Sequence, residues 1–108
     1  MGYAYDVRRV VQCIACLVKA GGRDRLPYMK VLKLLYYADR ESLRRAGYPI
    51  TGDSPYAMRF GPVLSRTYDH VKANPQFPMP DDDAEHWRHY LLTEGYDLRL
   101  LADPGDDE

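Results

Sequence analysis

Cysteine is nearly absent: the 108 residues hold two, Cys13 and Cys16, in the run Cys-Ile-Ala-Cys. Two thiols make no disulfide framework. A zinc site would need a second Cys or His pair at ligand spacing, and a redox motif would need a preceding strand; the chain offers neither. The pair reads as two small apolar residues on an amphipathic helix. Long apolar runs are missing as well, none approaching the ~18 residues of a membrane span. The opening Met-Gly-Tyr-Ala-Tyr-Asp-Val-Arg-Arg puts charge where a signal peptide keeps its apolar stretch. Asp6 stands where an N-myristoylation signal wants Ser or Thr. The expectation is a cytoplasmic chain with no membrane partner.

Catalytic signatures are lacking too. There is no P-loop and no GxGxxG, and Gly-Pro-Val-Leu-Ser at Gly61–Ser65 is not the strained elbow of a nucleophilic serine. Gly-Pro at a helix start could face an anion, but the proline removes an amide that would bind it. Of three histidines, His86 and His89 are three apart, and on the strand read there they point to opposite faces. No catalytic residue, metal or cofactor is assigned, and the expectation is a protein that is not an enzyme.

What is present is a globular composition, with 45% hydrophobic residues, and ten tyrosines. Tyrosine joins a large apolar body to a polar tip, useful both near the edge of a core and in binding patches. Charge is unevenly placed. Residues 1–75 carry 13 Lys/Arg against 6 Asp/Glu, and residues 76–108 carry 2 against 10, so a net charge of −1 conceals a basic body with an acidic end. The basic residues are spread singly along helices, as on solvated faces, and no helix shows the basic run of a groove reader. Nucleic acid is therefore not favoured as a partner.

One domain, 1–108, is expected. Val7, Val10, Val11, Ile14, Leu17 and Val18 recur at helical spacing between the N-cap Asp6 and the stop Gly21-Gly22. A second helix is read from a cap at Asp24 to Arg45 or Ala46, with Pro27 in its first turn and Gly47 closing it. Its wide apolar surface predicts a central element packed on two sides. A Pro/Gly loop over Tyr48–Ser54, a short strand Tyr56–Phe60 and a third helix Val63–Ala73 starting at Pro62 follow, with Ser65 as a helix-start hydroxyl. Residues 75–83 read as a stiff connector. Trp87–Leu92 and Tyr96–Ala102 read as a β-hairpin turning at Glu94-Gly95, and 103–108 as a charged end with nothing to bury. The fold class is α+β, mainly α: three N-terminal helices, a strand between the second and third, and a C-terminal hairpin.

Three segments together resemble the Panacea domain: Lys-Leu-Leu-Tyr-Tyr-Ala-Asp (Lys33–Asp39), Gly-Tyr-Pro-Ile-Thr-Gly-Asp (Gly47–Asp53) and Ala-Met-Arg-Phe-Gly-Pro-Val (Ala57–Val63). The resemblance runs from about Arg25 to Tyr68, and more loosely through Trp87 and the Gly-Tyr-Asp-Leu at 95–98. It implies a mainly helical fold with a small β element and no enzymatic activity. It also implies an antitoxin that neutralises a protein toxin encoded beside it. Members usually continue past an acidic turn into further helices, so this sequence is expected to be a shortened member or a piece.

Leu32, Leu35, Tyr36, Asp39, Phe60, Gly61, Pro62 and Val63 are assigned to the structural motif, with Leu32, Leu35, Phe60 and Val63 as the seam and Arg59 pairing Asp39. Tyr37, Tyr48, Arg59 and Tyr68 are assigned to partner binding. Besides a cognate toxin, the alternatives are a proteolysis adaptor, its acidic end facing a cytosolic protease, and a repressor of its own operon. Self-association stays open.

Overall fold

The computed structural model describes residues 4–59, 61–76 and 78–105. The first helix, α1 (Val7–Ala20), forms where its periodicity places it. The Asp6 carboxylate accepts from the Arg8 and Arg9 amides, and Gly21 closes the far end. Val7, Val10, Val11, Ile14, Ala15 and Val18 are buried along one stripe, each fully buried valine or isoleucine contributing roughly 1.5–3 kcal/mol. Cys13 is half-buried and Cys16 exposed on the flank of that helix, both as free thiols.

The second helix starts later than its sequence predicts. Arg25–Pro27 is a strand, β1, and α2 spans Tyr28–Ala46. The reason is local: a proline disfavours helical geometry in the residue before it, so Leu26 is held extended and Pro27 cannot lie inside a first turn begun at Asp24. Gly47 then closes α2 in the left-handed conformation, its amide donating to the Leu43 carbonyl. Tyr28, Val31, Leu32 and Leu35 are buried in the helix's first half.

The strand expected at Tyr56–Phe60 is shorter and sits earlier. β2 (Pro55–Tyr56) pairs antiparallel with β3 (Val63–Leu64), and the chain between them loops out through Gly61, whose φ is +114°. Pro62 therefore precedes a strand and does not begin a helix; α3 spans Ser65–Lys72. Residues 81–83, read as connector, are the first turn of a fourth helix, α4 (Asp81–Tyr90), where three aspartates face the positive end of the helix dipole. That helix absorbs Trp87–Tyr90 from the expected hairpin, because Trp87 and Tyr90, three residues apart, both bury against the core. The hairpin that remains is β4 (Leu91–Glu94) with β5 (Asp97–Leu100), turning at Gly95-Tyr96 with Gly95 at φ +59°, a two-residue turn. β1 pairs with β5, giving the sheet order β1-β5-β4.

The architecture is α+β with four helices and two small antiparallel sheets among the described residues. As expected from its apolar breadth, α2 is central, packing on α1, α3, β1, β3 and β5. Leu32 and Leu35 meet Val63 in one core, so that part of the seam stands; Phe60 lies outside the described residues. The acidic end is partly anchored: Lys19 Nζ lies 2.7 Å from Asp103 Oδ2 and Pro104 is buried, while residues 106–108 lie outside the described set.

Candidate partner-binding surface

A chain of buried and half-buried polar groups fixes the loop between α2 and β2 and, with it, the surface around it. Asp39, on α2, is buried. Its Oδ1 accepts from the Ile50 amide at 3.0 Å and the Thr51 amide at 2.9 Å, and its Oδ2 from the Thr51 hydroxyl. The carboxylate expected to pair with Arg59 is thus taken up by the loop, whose amides would otherwise be buried without acceptors. Arg59 itself is exposed in the β2–β3 connection.

Two residues beyond Thr51, Asp53 caps α3 from outside the helix. Its carboxylate accepts from the Arg66 amide at 3.0 Å and from the Thr67 amide and hydroxyl at 2.9 Å each. Ser65, expected as a helix-start hydroxyl, is the first residue of α3 and its hydroxyl leans on the same carboxylate at 3.4 Å. Thr67 is fully buried and its hydroxyl lies 3.0 Å from the Tyr5 hydroxyl, which in turn lies 3.2 Å from His70 Nδ1. Asp39, Thr51, Asp53, Thr67, Tyr5 and His70 therefore link α2, the loop, α3 and the N-terminal segment. Burial pushes the Tyr5 phenol well above its usual range and draws the His70 imidazole below its own.

The His70 shift has a testable sign. The unfolded chain takes a proton at His70 near pH 6.5, while the folded chain takes it only at lower pH. The folding stability that His70 supplies is then whole above about pH 6.5 and is lost as the pH falls through the folded value. Between pH 7.5 and 5.5, the urea midpoint should fall further for the wild type than for His70→Gln. His86 is also drawn low, by burial and by Arg8, but it is the less enclosed of the two. His86→Gln should therefore leave more of the pH dependence in place.

His86 and His89 do not alternate across a strand. Both lie on α4, both rings touch that of Tyr90, and Arg8 Nη1 approaches His86 Nδ1 at 3.3 Å. Among the described residues no group of three or more His, Cys, Asp or Glu is arranged to hold a metal ion. No described helix is long and apolar enough to cross a membrane.

The four residues assigned to partner binding fall into different settings. Tyr37 and Tyr48 are 61% and 53% exposed, at the C-terminal half of α2 and just beyond it. Arg59 is exposed in the loop already described. Tyr68 is half-buried on α3 and lines a groove of about 660 Å³ with Tyr56, Ser65, Arg66, Asp69 and Asn74. Tyr56, itself 55% exposed, belongs with it and escapes sequence reasoning; one residue of a two-residue strand carries no periodic signal of its side. A second hollow of about 400 Å³ adjoins across Arg66 and Asp69, walled by Tyr5, His70, Pro78 and Pro80. Of the motif residues, Leu32, Leu35 and Val63 are buried, Tyr36 packs half-buried beside them, Gly61 shapes the loop and Pro62 is exposed.

A family model described as "Antitoxin SocA-like, Panacea domain" matches residues 31–107. No curated protein and no solved structure matches.

Proposed function

The chain belongs to the antitoxin SocA-like, Panacea domain family, and from that premise we propose that it binds and neutralises a cognate protein toxin directly. The observation that supports this most is the pairing of that match with the exposure of Tyr37, Tyr48 and Tyr56, each more than half open to solvent. Large exposed aromatics with a polar tip are what protein interfaces use as anchors, since they bring contact area at little entropic cost. The role proposed is one of binding, with no catalysis by this chain, in the cytoplasm. Tyr37, Tyr48, Arg59 and Tyr68 are proposed as contacts, with Tyr56 added.

The test is coexpression. Induction of the product of the adjacent reading frame alone should arrest growth, and the wild-type chain in trans should restore it. If that product is harmless alone, or a folded chain leaves the arrest unchanged, the reading fails. Rescue should persist in a host stripped of its AAA+ proteases; rescue confined to a protease-replete host would favour an adaptor instead.

A further inference from the structure

We propose that the C-terminal half of α2 is a docking face for an acidic, apolar-studded segment of the protein partner; this deepens the toxin-binding reading and rests on it. Asp39 is the last buried residue of α2, and from Arg40 to Ala46 the helix runs on with none. The bonds that hold this stretch are local. Glu41 pairs with Arg44 at 2.6 Å and with Arg45, and the Ser42 hydroxyl donates to the Tyr48 carbonyl at 2.8 Å. Exposed pairs of this kind are screened by water and salt, so the extension adds little to folding.

Yet this stretch and its border keep Tyr37, Leu43 and Tyr48 in water, at 61%, 49% and 53% exposure. Tyr37, Arg40, Glu41, Leu43 and Arg44 line one open cleft of about 650 Å³. The Arg40 guanidinium lies over the Tyr36 ring at 5.9 Å, and that ring meets Tyr37 edge-on at 5.7 Å, so Tyr37 is held in place before a partner arrives. Arg40, Arg44 and Arg45 against Glu41 leave the face positive. Its complement is a segment with aspartates or glutamates flanking one or two aliphatic or aromatic residues. A phosphate backbone would leave the exposed Tyr37 and Leu43 without apolar contact.

The experiment titrates the full chain with the purified product of the adjacent reading frame, at 50 and 300 mM NaCl. Tyr37→Ala with Leu43→Ala should weaken binding about 10–100-fold. Arg40→Gln with Arg44→Gln should weaken it about tenfold at low salt and flatten the salt dependence. All four side chains are exposed, so both variants are expected to fold, which circular dichroism melts check. A photo-crosslinker placed at Tyr37 should capture a segment of negative net charge. Wild-type binding with variant affinities within twofold, or crosslinks to a neutral or basic segment or to a second copy, overturns this face while leaving toxin binding intact. A 20-base-pair duplex bound by the wild type and released by the arginine variants overturns it in favour of nucleic acid. Absence of wild-type toxin binding removes both readings together.

Discussion

Asp39→Ala is expected to remove about 3 kcal/mol of folding stability, a large share of the ~5–15 kcal/mol a domain of this size holds. The residue is 6% exposed and accepts from two loop amides and a hydroxyl, all within the Ile50–Thr51 pair. Removing the carboxylate leaves two amides without their acceptor, that of Thr51 fully buried, and bonds to a carboxylate are about twice as strong as neutral ones. The conservative change Asp39→Asn separates bonding from volume. It leaves one oxygen to accept from both amides, while the new amide nitrogen faces the Thr51 hydroxyl. Its cost should be about 1 kcal/mol. Chemical denaturation of the two variants checks the ordering; equal losses would mean that the bonds do not carry the effect.

Gly52→Ala should be the most damaging change in that loop. Gly52 sits at φ +76°, and a Cβ there would lie 2.7 Å from the Ala4 carbonyl carbon and closer still to its oxygen. Both are backbone atoms, which cannot rotate aside. To make room, the N-terminal segment must withdraw, and withdrawal breaks the bond from the Asp6 amide to the Thr51 carbonyl at 3.1 Å. The left-handed conformation alone costs about 1 kcal/mol for alanine, and displacement of the segment brings the loss to roughly 3 kcal/mol or more. Gly95→Ala is the matched control. Its φ is also positive, at +59°, but nothing lies within 4 Å of the added carbon, so only the conformational cost of about 1 kcal/mol should appear. Thermal melts of the pair read the difference directly.

Asp39 and Gly52 both lie in segments that the family resemblance rests on, and both act through the fold. α1 and the core half of α2 are legible in the sequence because a stripe at helical spacing is a local property of the chain. β1 is not, since its three residues hold as a strand only by pairing with Arg99, Leu98 and Asp97, far along the chain. α4 is hidden because its first turn is three aspartates after a proline run, which in sequence looks like a connector. The Asp53 cap and the Tyr5–Thr67–His70 contacts cross from one element to another, and no spacing rule reaches them. The loop containing Thr51 and Asp53 nonetheless stands out in the sequence as characteristic, and the buried hydrogen bonds give the physical reason. Of the proposed contacts, exposure supports Tyr37 and Tyr48, and Tyr68 lies in a groove that Tyr56 shares. The point at which α2 leaves the core is not readable, because apolar residues continue to Leu43 after burial stops at Asp39.

Direct neutralisation is tested most simply by calorimetric titration of the folded chain into the purified product of the adjacent reading frame, with no protease or nucleic acid present. The expected result is saturable binding tighter than micromolar, with the negative heat-capacity change of buried apolar surface. A folded chain that gives no heat and forms no complex with that toxin, while still protecting cells that make it, would contradict it.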